Sequence, residues 1–201
     1  FNTALMAMHN PDAVTSDQLE KIEREVSENM FREEVEQSLF KVILAESFLE
    51  NDTLFKEYFD GGEKLKTEGR IHNGALSGTW KSYYEESGNI MNSVNYKDGK
   101  LNGEAFFYYD KENQIVKAEA YFEDDNLEGE YFEYYENGAQ KAKILYKAGY
   151  ADSKAWFYYP NGKLKIEGSY KDGQKQGKWE YFDEKGKSIG KEKWKKGERT
   201  K

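Results

Sequence analysis

A chain of 201 residues with 37% hydrophobic and 34% charged residues is too poor in aliphatic side chains for one thick core, although 16% of it is aromatic. The absence of cysteine excludes disulfides, thiolate metal sites and a cysteine nucleophile. The formal net charge of −8 hides a gradient: residues 1–60 hold 5 Lys/Arg against 14 Asp/Glu, residues 61–140 hold 8 against 16, and residues 141–201 hold 17 against 8.

The chain opens on an expected flexible tail, residues 1–14. Phe1 stands where an initiator Met would be, which suggests a processed chain and leans the reading toward an exported or cell-envelope protein. Thr15 and Gln18 then stand at capping-box spacing, and Leu19, Ile22, Val26 and Met30 follow at helical intervals. From Val35 and Leu39 onward a second apolar stripe, Phe40, Ile43, Leu44 and Phe48, joins the first, and Asn51-Asp52 reads as a stop. Residues 15–56 are therefore expected to form a helical cap on the first repeat. The other reading is a docking helix whose acidic face engages a partner or a second copy, with Phe40, Ile43, Leu44 and Phe48 as the candidate docking residues. No stretch nears the ~20 apolar residues of a membrane-spanning helix.

Residues 57–201 are repetitive. Aromatic pairs recur at Tyr58-Phe59, Tyr83-Tyr84, Tyr108-Tyr109, Tyr134-Tyr135, Tyr158-Tyr159 and Tyr181-Phe182, about every 23–26 residues, the period of a stacked supersecondary unit. A turn glycine follows at Gly62, Gly88, Gly138, Gly162 and Gly186, with Asn113 in the third unit. Second turns fall at Gly99, Gly149, Gly173 and Gly197, with Asp124 in the third unit. Asn-Gly and Asp-Gly steps accept the positive φ of primed hairpin turns. Between the turns, Leu164, Ile166 and Tyr170 alternate at period two, which means strand. The expected fold is an elongated, single-layer antiparallel array of five to six β-hairpins, about ten or eleven strands. The last unit is expected to stop at Gly197 without a second strand.

The alternation of Y-Y-x-N-G with K-x-E/G-x-Y-K-D-G and G-x-W/F, from Tyr58 to Gly197, resembles the bacterial variant of the MORN (membrane occupation and recognition nexus) repeat. Members of that variant family are often described as antitoxins of toxin–antitoxin systems. The resemblance implies stacked hairpins and a binding or scaffolding role.

Neighbouring strand residues point to opposite faces, so each aromatic pair sends one ring to each side. Either both sets hold the sheet together, or one of them is a binding face, for which Tyr84, Tyr109, Tyr135, Tyr159, Trp156 and Trp179 are the expected residues. Lysines near the end, Lys187, Lys191, Lys193, Lys195 and Lys196, either protect an edge strand or attract an anionic partner.

His9 and His72 are the only histidines, and neither has a second ligand at metal spacing. No nucleophile elbow or phosphate loop occurs. The chain is expected to be non-catalytic and to use no cofactor. Its expected partner is a protein of unknown identity, with head-to-tail self-association as one version; nucleic acid is disfavoured by the acidic front. The alternative is an envelope module that binds glycan or anionic lipid.

Overall fold

Tight turns dictate the architecture. At Asn73-Gly74, Asp98-Gly99, Asp124-Asp125, Ala148-Gly149, Asp172-Gly173 and Lys196-Gly197 both residues have positive φ, 47–52° and then 66–80°. That is the type I′ geometry, whose twist matches the strands it joins. The alternate turns are wider, with positive φ at one residue in each, except the first, where Gly61 and Gly62 both have it. In the Pro160-Asn161-Gly162 loop, Tyr159 N–H donates to the Lys163 carbonyl at 2.8 Å and Asn161 Oδ1 accepts from Lys163 N–H at 3.0 Å. In the third unit the left-handed residue is Gln114 (φ 50°), one place after Asn113.

The computed structural model describes residues 52–200, and the strands between these turns form one antiparallel sheet. They are β1 (Thr53–Tyr58), β2 (Leu65–His72), β3 (Ala75–Tyr83), β4 (Ile90–Lys97), β5 (Lys100–Tyr108), β6 (Val116–Glu123), β7 (Asn126–Leu127), β8 (Gly129–Tyr134), β9 (Gln140–Lys147), β10 (Tyr150–Tyr158), β11 (Leu164–Lys171), β12 (Gln174–Phe182), β13 (Ser188–Lys195) and β14 (Glu198–Thr200). Each strand pairs with the next in sequence, except that β7 and β8 both pair with β6, as one strand interrupted at Glu128.

Three expectations change. The described sheet has 14 strands rather than ten or eleven, because short β7 and β14 carry no alternation of their own. Residues 53–56 belong to β1 rather than to a helix, since Phe55 pairs with Gly69 and Lys56 with Glu68. The last hairpin does close, with Trp194 opposite Arg199. The expected tail and the cap as far as residue 51, with Phe40, Ile43, Leu44 and Phe48, lie outside the described residues.

One face of the sheet is buried although the described sheet is one layer. Large rings lie flat over small neighbours. A Cβ added to Gly69 would sit 2.1 Å from the Trp80 ring, and one added to Gly168 would sit 2.2 Å from the Trp179 ring. The indole N–H groups donate to the Arg70 and Ser169 carbonyls at 3.1 and 3.2 Å. Other units solve the same position differently: Val94 pairs with Ala105 and Ile144 with Ala155. Ala120 and Tyr131 occupy it one step beyond the Glu119↔Phe132 pair. Small and large thus alternate across the strands so that the summed volume is held. A T-shaped Tyr170–Trp179 contact at 5.0 Å joins rings along this face. Beside it Lys175, 8% exposed, lies 4.3 Å from the ring centres of both Trp179 and Trp194.

The volume rule gives a test. Gly168→Ile alone should cost about 3 kcal/mol by overpacking against Trp179. Adding Trp179→Ala rebuilds the Ile144–Ala155 pairing and should recover most of that loss. A double-mutant cycle from denaturant midpoints reads the coupling, and a coupling near zero would contradict the rule.

Candidate functional site

The tyrosine pairs separate into two structures. The second tyrosine of each pair leaves its strand and reaches the next repeat. Tyr84, Tyr109 and Tyr135 hydroxyls donate to the carbonyls of Tyr108, Tyr134 and Tyr158 at 2.8 Å, and Tyr159 donates to Phe182 at 2.9 Å. Lys141 and Lys165 cover the Tyr135 and Tyr159 rings at 6.0 and 5.9 Å. The opposite edge carries a backbone counterpart: the N–H groups of Gly99, Asp125, Gly149, Gly173 and Gly197 donate to the carbonyls of Leu76, Leu101, Leu127, Ala151 and Lys175 at 2.9–3.0 Å.

The expected binding face is therefore divided. Tyr84, Tyr109, Tyr135 and Tyr159 are half-buried fasteners along one edge. Trp179 is 0% exposed and belongs to the core, so it cannot contact a partner. Only Trp156 lies on the opposite face, half-buried, paired with Lys143 and Glu167. Trp156 and Trp179 look equivalent in sequence, each two residues before an aromatic pair, but the last pair is displaced by one residue. Ile166 faces Tyr181, whereas Tyr158 faces Leu164 and Phe182 faces Ser188. Phe182 is the structural counterpart of Tyr158, and Asp183 takes the fastening position. There its carboxylate accepts from Lys185 and Lys187 N–H at 3.0 and 2.8 Å.

The outward face is built from the first residue of each pair. Tyr58↔Leu65, Tyr83↔Ile90, Tyr108↔Val116, Tyr134↔Gln140 and Tyr158↔Leu164 follow one another across the strands. All but Tyr58, which is 47% exposed, are half-buried. At about 4.8 Å per step from β1 to β11, this aromatic and aliphatic stripe is roughly 43 Å long. Beside it runs a second cross-strand row that mixes charge and rings, from Glu68↔Lys81 and Phe106↔Glu119 to Phe132↔Lys143 and Glu180↔Lys191. Lys143 stands 5.1 Å from the Phe132 ring and ion-pairs with Glu130 at 2.5 Å. Period two alone put Leu164 on the side of Ile166 and Tyr170; the shift in register between Phe157 and Tyr158 instead seats Leu164 opposite Tyr158, while Ile166 and Tyr170 are core.

Electrostatics follow from the packing. Burial, with the Glu68 carboxylate 2.7 Å from its hydroxyl, pushes Tyr83 up to about 12. Burial and then Glu119 do the same to Tyr134, and burial with Asp125 to Tyr96, each to about 12. Lys178, Ser188 and Lys191 converge on Glu180 and hold its carboxyl at about 2. His72 pairs with Asp52 at 2.5 Å on an exposed strand end. Among the described residues no group of three His, Cys, Asp or Glu side chains could hold a metal ion, and no helix is long and apolar enough to cross a membrane.

Residues 127–148 and 156–172, which span β7 to β11, match the profile of the MORN repeat variant. These hairpins are similar to MORN-type repeats. No curated protein matches the chain. The matched segments include the fastening residues Tyr135 and Tyr159 and stripe residues Tyr134, Gln140, Tyr158 and Leu164.

The tyrosine environments fix an alkaline signature. A pKa raised in the fold contributes stability that is fully present below the ordinary value of 10.0 and is lost as pH rises through about 12. Absorbance titration should show late-ionising tyrosines whose ionisation coincides with loss of the far-UV sheet signal. Complete ionisation by about pH 10.5 with the sheet intact would contradict the assigned environments.

Proposed function

We propose that this MORN-type array is a non-catalytic protein-binding module, a scaffold whose contact surface is the outward stripe through Tyr83, Tyr108, Tyr134 and Tyr158. The observation that carries this reading is the stripe itself: half-buried rings and aliphatic side chains in one line, flanked by a row of charges. Contiguous apolar surface with a charged margin is the anatomy of an interface. Tyrosine suits it, because a rigid ring offers contact area at little entropic cost and its hydroxyl stays satisfied in water. An antitoxin-like role, in which the array neutralises a second protein by direct binding, is one case of this reading.

Capture from the source lysate tests it. The intact chain should retain one stoichiometric protein, and Ile90→Glu/Val116→Glu/Leu164→Glu should lose it while keeping the wild-type far-UV spectrum. Retention by that variant together with loss on Ile43→Glu/Leu44→Glu would move the contact to the first 51 residues. Binding of glycan or anionic vesicles in place of any protein would overturn the reading in favour of an envelope ligand.

A further inference from the structure

The last units add a feature that the stripe does not use. Lys178 on β12 lies directly opposite Lys193 on β13, and like charges directly opposite weaken a ladder. Lys178 and Lys191 both turn to Glu180, which answers two cations with one carboxylate. Lys193 and Lys154 on the same face are exposed and make no ion pair among the described residues. Edge protection does not account for this set. The edge strand is β14, whereas Lys178 lies two strands inside it and Lys154 four. The lysines crowd a face, at a local cost, where a negatively charged partner would relieve them.

The same chain supplies a matching charge. Residues 141–201 carry 17 Lys/Arg against 8 Asp/Glu, a net +9, and residues 1–60 carry 5 against 14, a net −9. Acidic positions in that first segment come in runs, as at Glu33, Glu34 and Glu36, between apolar residues such as Val35 and Leu39. We infer that the lysine face around Lys154, Lys178 and Lys193 docks the acidic first 60 residues of a second copy of this chain, head to tail. The inference shares its face with the protein-binding reading but names a different occupant. A heterologous contact of this kind repeats from copy to copy, so its product is a series of oligomers rather than a closed dimer. Ion pairs at an exposed face are screened by salt, which makes the assembly salt-sensitive.

Sedimentation velocity of the full chain at about 50 mM and about 500 mM salt is the test. Species larger than a dimer should grow with concentration at low salt and collapse to monomer at high salt. Lys154→Glu/Lys178→Glu/Lys193→Glu should stay monomeric, and so should Glu33→Lys/Glu34→Lys/Glu36→Lys. Mixing the two variants restores complementary charge in both directions and should restore assembly. A wild-type monomer at low salt, assembly indifferent to salt, or a mixture that stays monomeric would each overturn the inference. If the lysine variant fails to fold, the glutamate variant decides alone: monomer supports head-to-tail docking and wild-type assembly overturns it. A monomer that cosediments with anionic phospholipid vesicles assigns the face to lipid, and the inference falls. None of these outcomes touches the stripe, whose partner is captured or lost independently.

Discussion

The array depends on a hydrogen bond that leaves one repeat and ends in the next. Tyr84, Tyr109, Tyr135 and Tyr159 each place a hydroxyl on a main-chain carbonyl 23–25 residues ahead. Cross-strand pairing alone holds each strand to its neighbours, but it leaves two consecutive hairpins free to splay where their loops protrude. The tyrosines close that edge, and the turn N–H groups of Gly99, Gly149, Gly173 and their counterparts close the other. Repeat-to-repeat terms of this kind are what make a linear array cooperative. The ladder starts and stops for visible reasons. Phe59 has no hydroxyl, and Lys64 Nζ instead reaches the Glu85 and Glu86 carbonyls at 2.8 and 3.0 Å. Asp183 at the far end turns back on its own loop.

Fastening at the edges frees the faces for separate duties. One face makes its own core by laying Trp80 and Trp179 over glycine and by pairing Val94 and Ile144 with alanine. The other keeps rings and charges half exposed. The fourth unit departs from the pattern at Ser153, whose φ of 90° stands where the other units use Gly78, Gly103, Gly129 and Gly177. A side chain there bears backbone strain that glycine avoids.

Much of this was legible in the residues. Turn pairs such as Asp98-Gly99 and Asp172-Gly173, with period-two strands between them, specify hairpins with little ambiguity. The assignment of rings to faces was not legible. Adjacent aromatics necessarily point apart, but alternation does not say which of the two points out, and a one-residue slip reverses every side chain. The slip at Tyr181-Phe182 does this and turns Trp179 into core while Trp156 remains outside. The fastening tyrosines were hidden for another reason: their partners are main-chain carbonyls, which no side-chain pattern reveals. The small–large pairs Gly69–Trp80 and Gly168–Trp179 could have been read from their 11-residue spacing, had the strands first been placed in register.

Replacement of all four fastening tyrosines by phenylalanine, followed by denaturant unfolding of the full chain, isolates the bond between repeats. At about 1 kcal/mol net per hydroxyl, the variant should lose about 4 kcal/mol and unfold over a shallower transition, as neighbouring repeats uncouple. An unchanged midpoint and slope would show that strand pairing alone holds the array together, and the fastening role of the tyrosines would fall.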